Sequence, residues 1–215
     1  GKSLTQLMSG LNSSIGLDPV ERTQFVLRVM YSVSKDLAYI HSRFYVHLDL
    51  SPNNIMCAYR RTCDGADAGV VTRLIDFGSA RHTKLIGGVD LQVSTASKLA
   101  LTLGYASPEL VEAAPAKNTG ARTPCELPLT LAADVYSFGM ILFQMLTNKN
   151  PHSILAMKEH HRCKALHDVY VPEALHPLIL SCLEYEPGER PKAVDLSSKL
   201  GHELGIVESS TSDGV

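Results

Sequence analysis

The sequence contains no pair of cysteines in C-x-x-C spacing. Its five cysteines are odd in number and scattered along the chain: Cys57, Cys63, Cys125, Cys163 and Cys182. A disulfide scaffold or a zinc site needs paired or closely spaced cysteines. This distribution therefore argues against both and favours a reducing compartment.

The sequence also lacks any run of basic residues. It has 20 Lys and Arg residues against 22 Asp and Glu residues, so its net charge is nearly neutral. Binding along a nucleic-acid backbone requires a concentration of positive charge. Nucleic acid is therefore not an expected partner.

No hydrophobic run is long enough to cross a membrane. The longest apolar stretch, residues 131–146, is interrupted by Asp134, Ser137 and Gln144, whereas a membrane helix needs about 20 apolar residues. No signal peptide is visible. We therefore expect a cytoplasmic, intracellular chain, although a region upstream of Gly1 is expected and leaves membrane tethering open.

The 215 residues, of which 45% are hydrophobic, suffice for one domain with a substantial core. Asp18 and Pro19 predict a helix start, with Glu21 placed to close a capping box. The apolar residues that follow recur at three- and four-residue spacing, which predicts one long helix. Further helices are expected near residues 153–165, 172–184 and 191–204. Residues 55–59 and 70–75 predict the two strands of a hairpin.

Two short segments carry the candidate chemistry. The first is HLDLSPNNI at residues 47–55, and the second is LIDFG at residues 74–78. Asp49 supplies a carboxylate that can act as a base, and Asn54 and Asp76 supply oxygen ligands of the kind magnesium prefers. Because the predicted hairpin is antiparallel, Asn54 and Asp76 are expected to lie side by side.

These segments resemble the catalytic loop H-R-D-x-x-x-x-N and the D-F-G motif of the eukaryotic protein kinase superfamily. Three further segments resemble that family in the same chain order: GYASPE at residues 104–109, DVYSFG at 134–139 and ERP at 189–191. The residues in these motifs are similar to those of serine/threonine kinases of the tyrosine-kinase-like and plant receptor-type group. The resemblance covers nearly the whole chain.

The chain shows no match to the first half of such a kinase. Only 46 residues precede His47, and they contain neither a G-x-G-x-x-G loop nor a strand lysine. The expected fold is mainly α with a small β-hairpin, a kinase-like large lobe without its small lobe, which is expected upstream of Gly1. Residues 1–205 would form this lobe, with an activation segment at 76–109, an insertion at 112–129 and a polar tail at 206–215.

The resemblance implies a role for each candidate site residue. Asp49 would accept or orient the proton of the substrate hydroxyl, while Asn54 and Asp76 would bind Mg²⁺ together with ATP. Thr102 would contact Asp49, which favours serine and threonine substrates over tyrosine. Ser3 would contact the ribose of ATP, although an N-cap role paired with Gln6 explains Ser3 equally well.

Other positions would serve structure. The resemblance pairs His47 with Phe77 in a hydrophobic spine and Glu109 with Arg190 in a buried ion pair. It also places Gly78 in the D-F-G turn. The carboxylate of Asp134 would accept hydrogen bonds from the backbone of the catalytic loop.

Two residues depart from the family pattern. Leu48 replaces the arginine that grips a phosphate on the activation loop, so activation through that contact is not expected. Ser51 replaces a lysine that contacts the transferring phosphate, and Asn53 does not supply the arginine that tyrosine kinases carry two residues later. The expected enzyme therefore has one less positive charge at its reaction centre.

The sequence favours the catalytic lobe of a serine/threonine kinase that uses ATP and Mg²⁺ to phosphorylate a protein substrate. A pseudokinase or kinase fragment that binds partners without catalysis is the main alternative, supported by Leu48, Ser51 and the missing small lobe. A small-molecule phosphotransferase shares the H-x-D-x-x-x-x-N loop, but the A-P-E-like segment argues against it. Gly1 to Ser3 also resemble the end of a P-loop, although no strand precedes them.

Overall fold

The computed structural model describes residues 1–13, 18–61, 67–83, 102–113 and 130–206. The chain is mostly helical in these ranges, with two small sheets. The helices are α1 (Leu4–Ser13), α2 (Pro19–Ser42), α3 (Pro108–Ala113), α4 (Ala132–Thr147), α5 (Pro151–Leu155), α6 (Glu159–His167), α7 (His176–Ser181) and α8 (Ala193–Glu203). Short 3-10 turns cover Pro52–Asn54, Phe77–Ser79, Glu173–Leu175 and Pro187–Glu189.

The predicted hairpin is confirmed, and the structure extends it by one strand. The strands are β1 (Lys2–Ser3), β2 (Tyr45–Val46), β3 (Ile55–Arg61), β4 (Asp67–Leu74) and β5 (Arg81–His82). Strands β3 and β4 form the antiparallel hairpin, and β1 pairs with the outer edge of β3. Strands β2 and β5 form a separate antiparallel pair. Strands of only two residues carry too little periodicity to be found in a sequence.

The long helix α2 begins where the sequence predicts, at Pro19. Its apolar stripe is buried, and the helix packs against α4, α8 and the hairpin. The predicted capping box is wrong, because the side chain of Asp18 makes no capping hydrogen bond. Pro19, whose fixed φ suits the first helical position, remains as the local start signal.

Helix α4 lies at the centre of the core. Nearly all of its residues are buried, and it contacts α2, α5, α6 and α7. At Gly139 an added Cβ would lie 2.5 Å from Cβ of Cys182 and 3.1 Å from Cδ2 of Leu183. The close approach of α4 to the end of α7 therefore requires glycine at this position.

The last third of the chain is more broken than the sequence predicts. The helix expected near residues 153–165 is two helices, α5 and α6, and the one expected near 172–184 is a 3-10 turn followed by the short α7. Helix α8 occurs where it is expected. The predicted insertion at 112–129 begins within α3, and residues 114–129 lie outside the described ranges, as do 84–101 of the activation segment and 207–215 of the tail.

A buried ion pair ties α3 to the segment before α8. Arg190 donates to both carboxylate oxygens of Glu109, each at 2.8 Å, and its side chain is fully buried. The remaining donors of the guanidinium go to the backbone oxygens of Ala132, Glu184 and Tyr185. A buried guanidinium of this kind is stable only because every N–H donor has a partner.

No helix within the described ranges is long and apolar enough to cross a membrane.

Replacing Arg190 with alanine is expected to destabilise the protein by about 3 to 5 kcal/mol, because the substitution leaves the partly buried Glu109 carboxylate without its guanidinium partner and removes the buried donors to three backbone oxygens. Chemical denaturation followed by circular dichroism measures this loss. Arg190→Lys, which keeps the charge but loses the two-pronged geometry, should lie between alanine and wild type. An Arg190→Ala variant as stable as wild type would contradict this account of the pair.

The same pair predicts a dependence on pH. Burial acts to raise the pKa of Glu109, but the hydrogen-bonded guanidinium of Arg190 outweighs it, so the pKa lies below its ordinary value of 4.5. A carboxyl with a lowered folded pKa stabilises the fold above its unfolded pKa and loses that contribution as the pH falls. The stability difference between wild type and Arg190→Ala should therefore shrink as the pH falls below about 4.5, through the lowered pKa of Glu109 in the folded protein.

Gly139→Ala should also destabilise the protein, because overpacking of this kind costs about 1 to 3 kcal/mol. The better helix propensity of alanine returns at most about 1 kcal/mol. Gly10→Ala in α1 is the matched control, since nothing lies within 4 Å of an added Cβ there. The control should be neutral or slightly stabilising in thermal unfolding. Equal midpoints for the two variants would show that α4 and α7 do not pack as described.

Candidate active site

The predicted catalytic loop, residues 47–55, is supported by Asp134, a fully buried carboxylate in the first turn of α4. Its two oxygens accept the backbone N–H groups of His47 at 2.7 Å and Leu48 at 2.9 Å. A third contact joins Asp134 to Nε2 of His41, in the last turn of α2, at 3.0 Å. Three contacts of this kind satisfy a carboxylate that has no access to water.

These contacts hold the loop in an unusual conformation. Leu48 has a φ of 66°, in the left-handed region, which costs a residue with a Cβ roughly 1 to 2 kcal/mol. The hydrogen bond from its own N–H to Asp134 offsets this cost. The next residue, Asp49, is thereby turned away from the core and remains half-buried.

Asp49 is oriented from both sides. The backbone N–H and the hydroxyl of Thr102 both donate to its Oδ1, at 2.9 and 2.7 Å. The amide Nδ2 of Asn54 donates to its Oδ2 at 2.9 Å and to its backbone oxygen at 2.8 Å. These hydrogen bonds fix the position of a carboxylate that is still open to solvent.

The hairpin brings Asn54 and Asp76 to the same end of β3 and β4. Ile55 pairs with Leu74, and the N–H of Ile75 donates to the backbone oxygen of Asn54 at 2.9 Å. Both hydrogen bonds of the Asn54 side chain use Nδ2, which leaves its Oδ1 as a ligand atom. Asp76 is exposed, and its Oδ1 accepts the N–H of Gly78 at 3.3 Å. An amide oxygen and an exposed carboxylate suit a magnesium ion.

The D-F-G turn is tightly built. Asp76 has a left-handed φ of 59°, and a Cβ on Gly78 would lie 3.1 Å from Oδ1 of Asp76. A larger residue at position 78 would therefore crowd the carboxylate. The ring of Phe77 lies 5.0 Å from the buried ring of His47, whose Nε2 is 3.1 Å from the backbone oxygen of Ile75.

Ser51 does not face solvent. It is 1% exposed, and its hydroxyl has no hydrogen-bond partner within the described ranges. Its neighbour Asn53 is held by a 2.7 Å hydrogen bond from the hydroxyl of Thr5 in α1. Neither side chain is a cation.

Ser3 caps α1. Its Oγ accepts the N–H of Gln6 at 3.3 Å, and its own N–H donates to Oε1 of Gln6 at 3.1 Å. This reciprocal pair is the capping box considered from the sequence. Ser3 also lies in β1, opposite Met56 of the hairpin.

His41 was not found by sequence reasoning. It carries the third contact to Asp134, and 9% of its surface is exposed. The available signal was a histidine in the last turn of a helix that ends just before the catalytic loop. A histidine at the end of an apolar helix has many structural uses, so the sequence alone does not single it out.

Comparison with known proteins identifies the family of this chain. The protein kinase domain family matches residues 6–200. Serine/threonine-protein kinase mos of Patiria pectinifera is 32% identical over 162 residues, which cover 75% of this chain and 37% of that protein. Phytosulfokine receptor 1 of Arabidopsis thaliana is 29% identical over 201 residues, covering 81% of this chain and 17% of the receptor.

A third relative aligns with the whole chain. Dual specificity protein kinase zakA of Dictyostelium discoideum is 22% identical over 232 residues, which cover 100% of this chain and 26% of that protein. The chain thus spans well under half the length of each of these three curated relatives. The family match itself extends over most of the chain. This chain therefore belongs to the protein kinase family.

Proposed function

We propose that the chain is the large lobe of a protein serine/threonine kinase that transfers the terminal phosphate of ATP to a hydroxyl of a protein substrate. The environment of Asp49 carries this proposal. Thr102 and Asn54 hold its two carboxylate oxygens, and the residue is only half-buried. A fixed, accessible carboxylate can accept or orient the proton of an attacking hydroxyl.

The proposed reaction is an in-line displacement. The substrate oxygen forms a bond to the γ-phosphorus while the bond from that phosphorus to the oxygen bridging it to the β-phosphate breaks. ADP leaves with the electron pair of the broken bond. Asp49 takes the hydroxyl proton, and Asn54 and Thr102 keep the carboxylate aligned during the transfer.

Asn54 and Asp76 are the proposed magnesium ligands. Their free oxygens and their position at one end of the hairpin support this assignment. When bound, Mg²⁺ would offset the negative charge of the nucleotide phosphates. The protein's own part is to keep both side chains in place through the β3–β4 pairing and the tight turn at Gly78.

ATP would be shared with a small lobe that we place upstream of Gly1. Ser3 is proposed to contact the ribose, since its bond with Gln6 uses a lone pair of Oγ and leaves the hydroxyl hydrogen available. In this division residues 1–205 form the large lobe, 76–109 the activation segment, 112–129 an insertion and 206–215 a polar tail. Kinases place a glycine-rich loop and a strand lysine in the small lobe.

The proposed acceptor is a serine or threonine hydroxyl of a protein. The contact of Thr102 with Asp49 supports this choice, because serine/threonine kinases carry a threonine at this place. We also assign the chain to the tyrosine-kinase-like and plant receptor-type group. The spellings TLGY at residues 102–105 and DVYSFG at 134–139 support that finer assignment.

Catalysis is expected to be slow. Ser51 supplies no positive charge to the transferring phosphate, and loss of one such preorganised contact commonly costs about 2.7 to 4 kcal/mol. Leu48 is buried at 3% exposure and cannot grip a phosphate on the activation segment. These two residues are the observation that favours a second candidate function, a noncatalytic binding module. The retained set of Asp49, Asn54 and Asp76 favours catalysis.

Asp49→Asn is expected to lower phosphate transfer by about two to four orders of magnitude, because an amide cannot accept the hydroxyl proton. Transfer of labelled γ-phosphate to a serine-containing protein substrate by the full-length protein measures the loss. Asp168→Asn, which alters an exposed carboxylate at the end of α6, should retain full activity. If wild type and Asp49→Asn show the same background, the catalytic proposal fails.

Alanine at Ser94, Thr95 or Ser97 is expected to leave activity largely intact. Position 48 holds a leucine in place of the arginine that usually binds a phosphate on the activation segment. Steady-state kcat/KM of the three single variants tests this expectation. A large loss in one of them, restored by glutamate at the same position, would reveal phospho-activation by another route.

A further inference from the structure

A cavity of about 690 Å³ lies between α2, the start of α4 and the segment that leads into α8. It is separate from the catalytic residues described above, none of which lines it. Its walls are mainly apolar, with Ala38 from α2, Leu131 and Val135 beside and within α4, and Pro191 and Val194 on the third side. Most of the described apolar residues are buried in the core. An apolar cavity that is open to solvent is therefore a candidate binding site.

The charged groups that line the cavity differ in whether their donors are already used in hydrogen bonds within the protein. Arg190 lines it, but all of its donors already serve Glu109 and backbone oxygens. His41 lines it as well and uses Nε2 for Asp134. Lys192 is exposed, and none of the salt bridges found among the described residues includes it; its backbone N–H donates to Oδ2 of Asp195 at 3.3 Å. Among the cationic residues that line the cavity, Lys192 is therefore the one available to pair with an anionic ligand.

The size of the cavity sets the kind of occupant. Sites for small molecules commonly enclose about 300 to 1,000 Å³, and this cavity lies within that range. An α-helix with its side chains is about 10 to 12 Å wide and needs a long open groove. The volume thus fits a compound of two or three fused or linked rings, or a similar apolar chain.

We propose that this cavity is a binding site for a small, largely apolar molecule that carries one anionic group, with Lys192 as the partner of the anion. The apolar part would pack between Ala38, Val135 and Val194. The burial of apolar surface supplies most of the affinity, and the single ion pair with Lys192 sets the preference for an anion. An exposed ion pair adds only modestly to affinity.

The site has a direct connection to the catalytic loop. His41 forms part of the cavity wall and also binds Asp134, whose other contacts are the N–H groups of His47 and Leu48. A bound molecule that packs against the His41 imidazole therefore contacts the residue that hydrogen-bonds to Asp134. Binding in the cavity should then change the NMR resonances of the His41 ring.

The test uses two probes that differ in one anionic group. These are 1-anilinonaphthalene-8-sulfonate, which carries a sulfonate, and N-phenyl-1-naphthylamine, which has the same ring system without it. Isothermal titration calorimetry of the full-length protein is expected to show saturable binding of the sulfonate at one molecule per chain. The neutral probe should bind at the same site with lower affinity.

Two exposed residues of the cavity supply the variants, and each has a control. Val194→Trp should fill the opening and weaken both probes by at least about tenfold, or 1.4 kcal/mol. Lys192→Glu should weaken the sulfonate by about tenfold and leave the neutral probe unchanged. The controls are Val20→Trp, at an exposed position of α2, and Lys199→Glu, at an exposed position of α8, and neither residue lines the cavity.

A further readout follows the histidines. Bound sulfonate should shift the NMR resonances of the His41 ring and leave those of His152, which is exposed in α5, in place. The proposal is overturned if the sulfonate does not saturate, if all four variants bind it equally, or if saturating Mg-ATP displaces it. Equal weakening of both probes by Lys192→Glu would also contradict it. Binding is measured without turnover, so the result is independent of whether the chain is an active kinase.

Discussion

The buried carboxylate of Asp134 is the contact on which the rest of the site depends. It gathers three donors from two separate segments: His41 at the end of α2 and the N–H groups of His47 and Leu48 in the catalytic loop. A charge placed in the interior without partners would cost several kcal/mol. Bending the loop toward Asp134 supplies these partners and so stabilises the folded chain. The left-handed φ of Leu48 is one result of that bend. Asp49, the next residue, is then held outward.

This arrangement explains how the loop keeps its shape while its side chains change. Asp134 binds the main chain of position 48, so leucine can replace the usual arginine without loss of the contact. Asp49 in turn is aligned by Thr102, from the predicted activation segment, and by Asn54, from the 3-10 turn just before β3. The hydrogen bonds that hold Asp49 therefore do not involve the side chains of Leu48 or Ser51, the two residues that depart from the kinase pattern. In the proposed kinase those departures would change electrostatics and regulation, while the placement of Asp49 stays the same.

The sequence predicted much of this chain, for reasons that differ between elements. Helix α2 and the β3–β4 hairpin have strong periodic patterns, and the structure confirms both. The break between α5 and α6 was missed. Both short helices pack against α4, and helices this short depend on such packing more than on the propensity of their residues. The strands β1, β2 and β5 have two residues each, too few for any period.

The candidate site shows the same division. The order of the motifs gave Asp49, Asn54 and Asp76, since chemistry needs these residue types at fixed spacing. The role of His41 depends on a contact across 93 positions of the chain, which no local pattern records. The burial of Ser51 likewise follows from packing around the loop and not from the residue itself. Three-dimensional contacts of this kind are the part that a single sequence leaves open.

The most direct test of the proposed activity is to measure phosphate transfer by the full-length protein with Mg²⁺ and after removal of the metal with a chelator, and to identify the modified residue. The account predicts slow transfer to serine or threonine that depends on Mg²⁺ and is restored when the metal is returned. Absence of transfer under both conditions, with the protein shown to be folded, would contradict catalysis and favour a noncatalytic binding module.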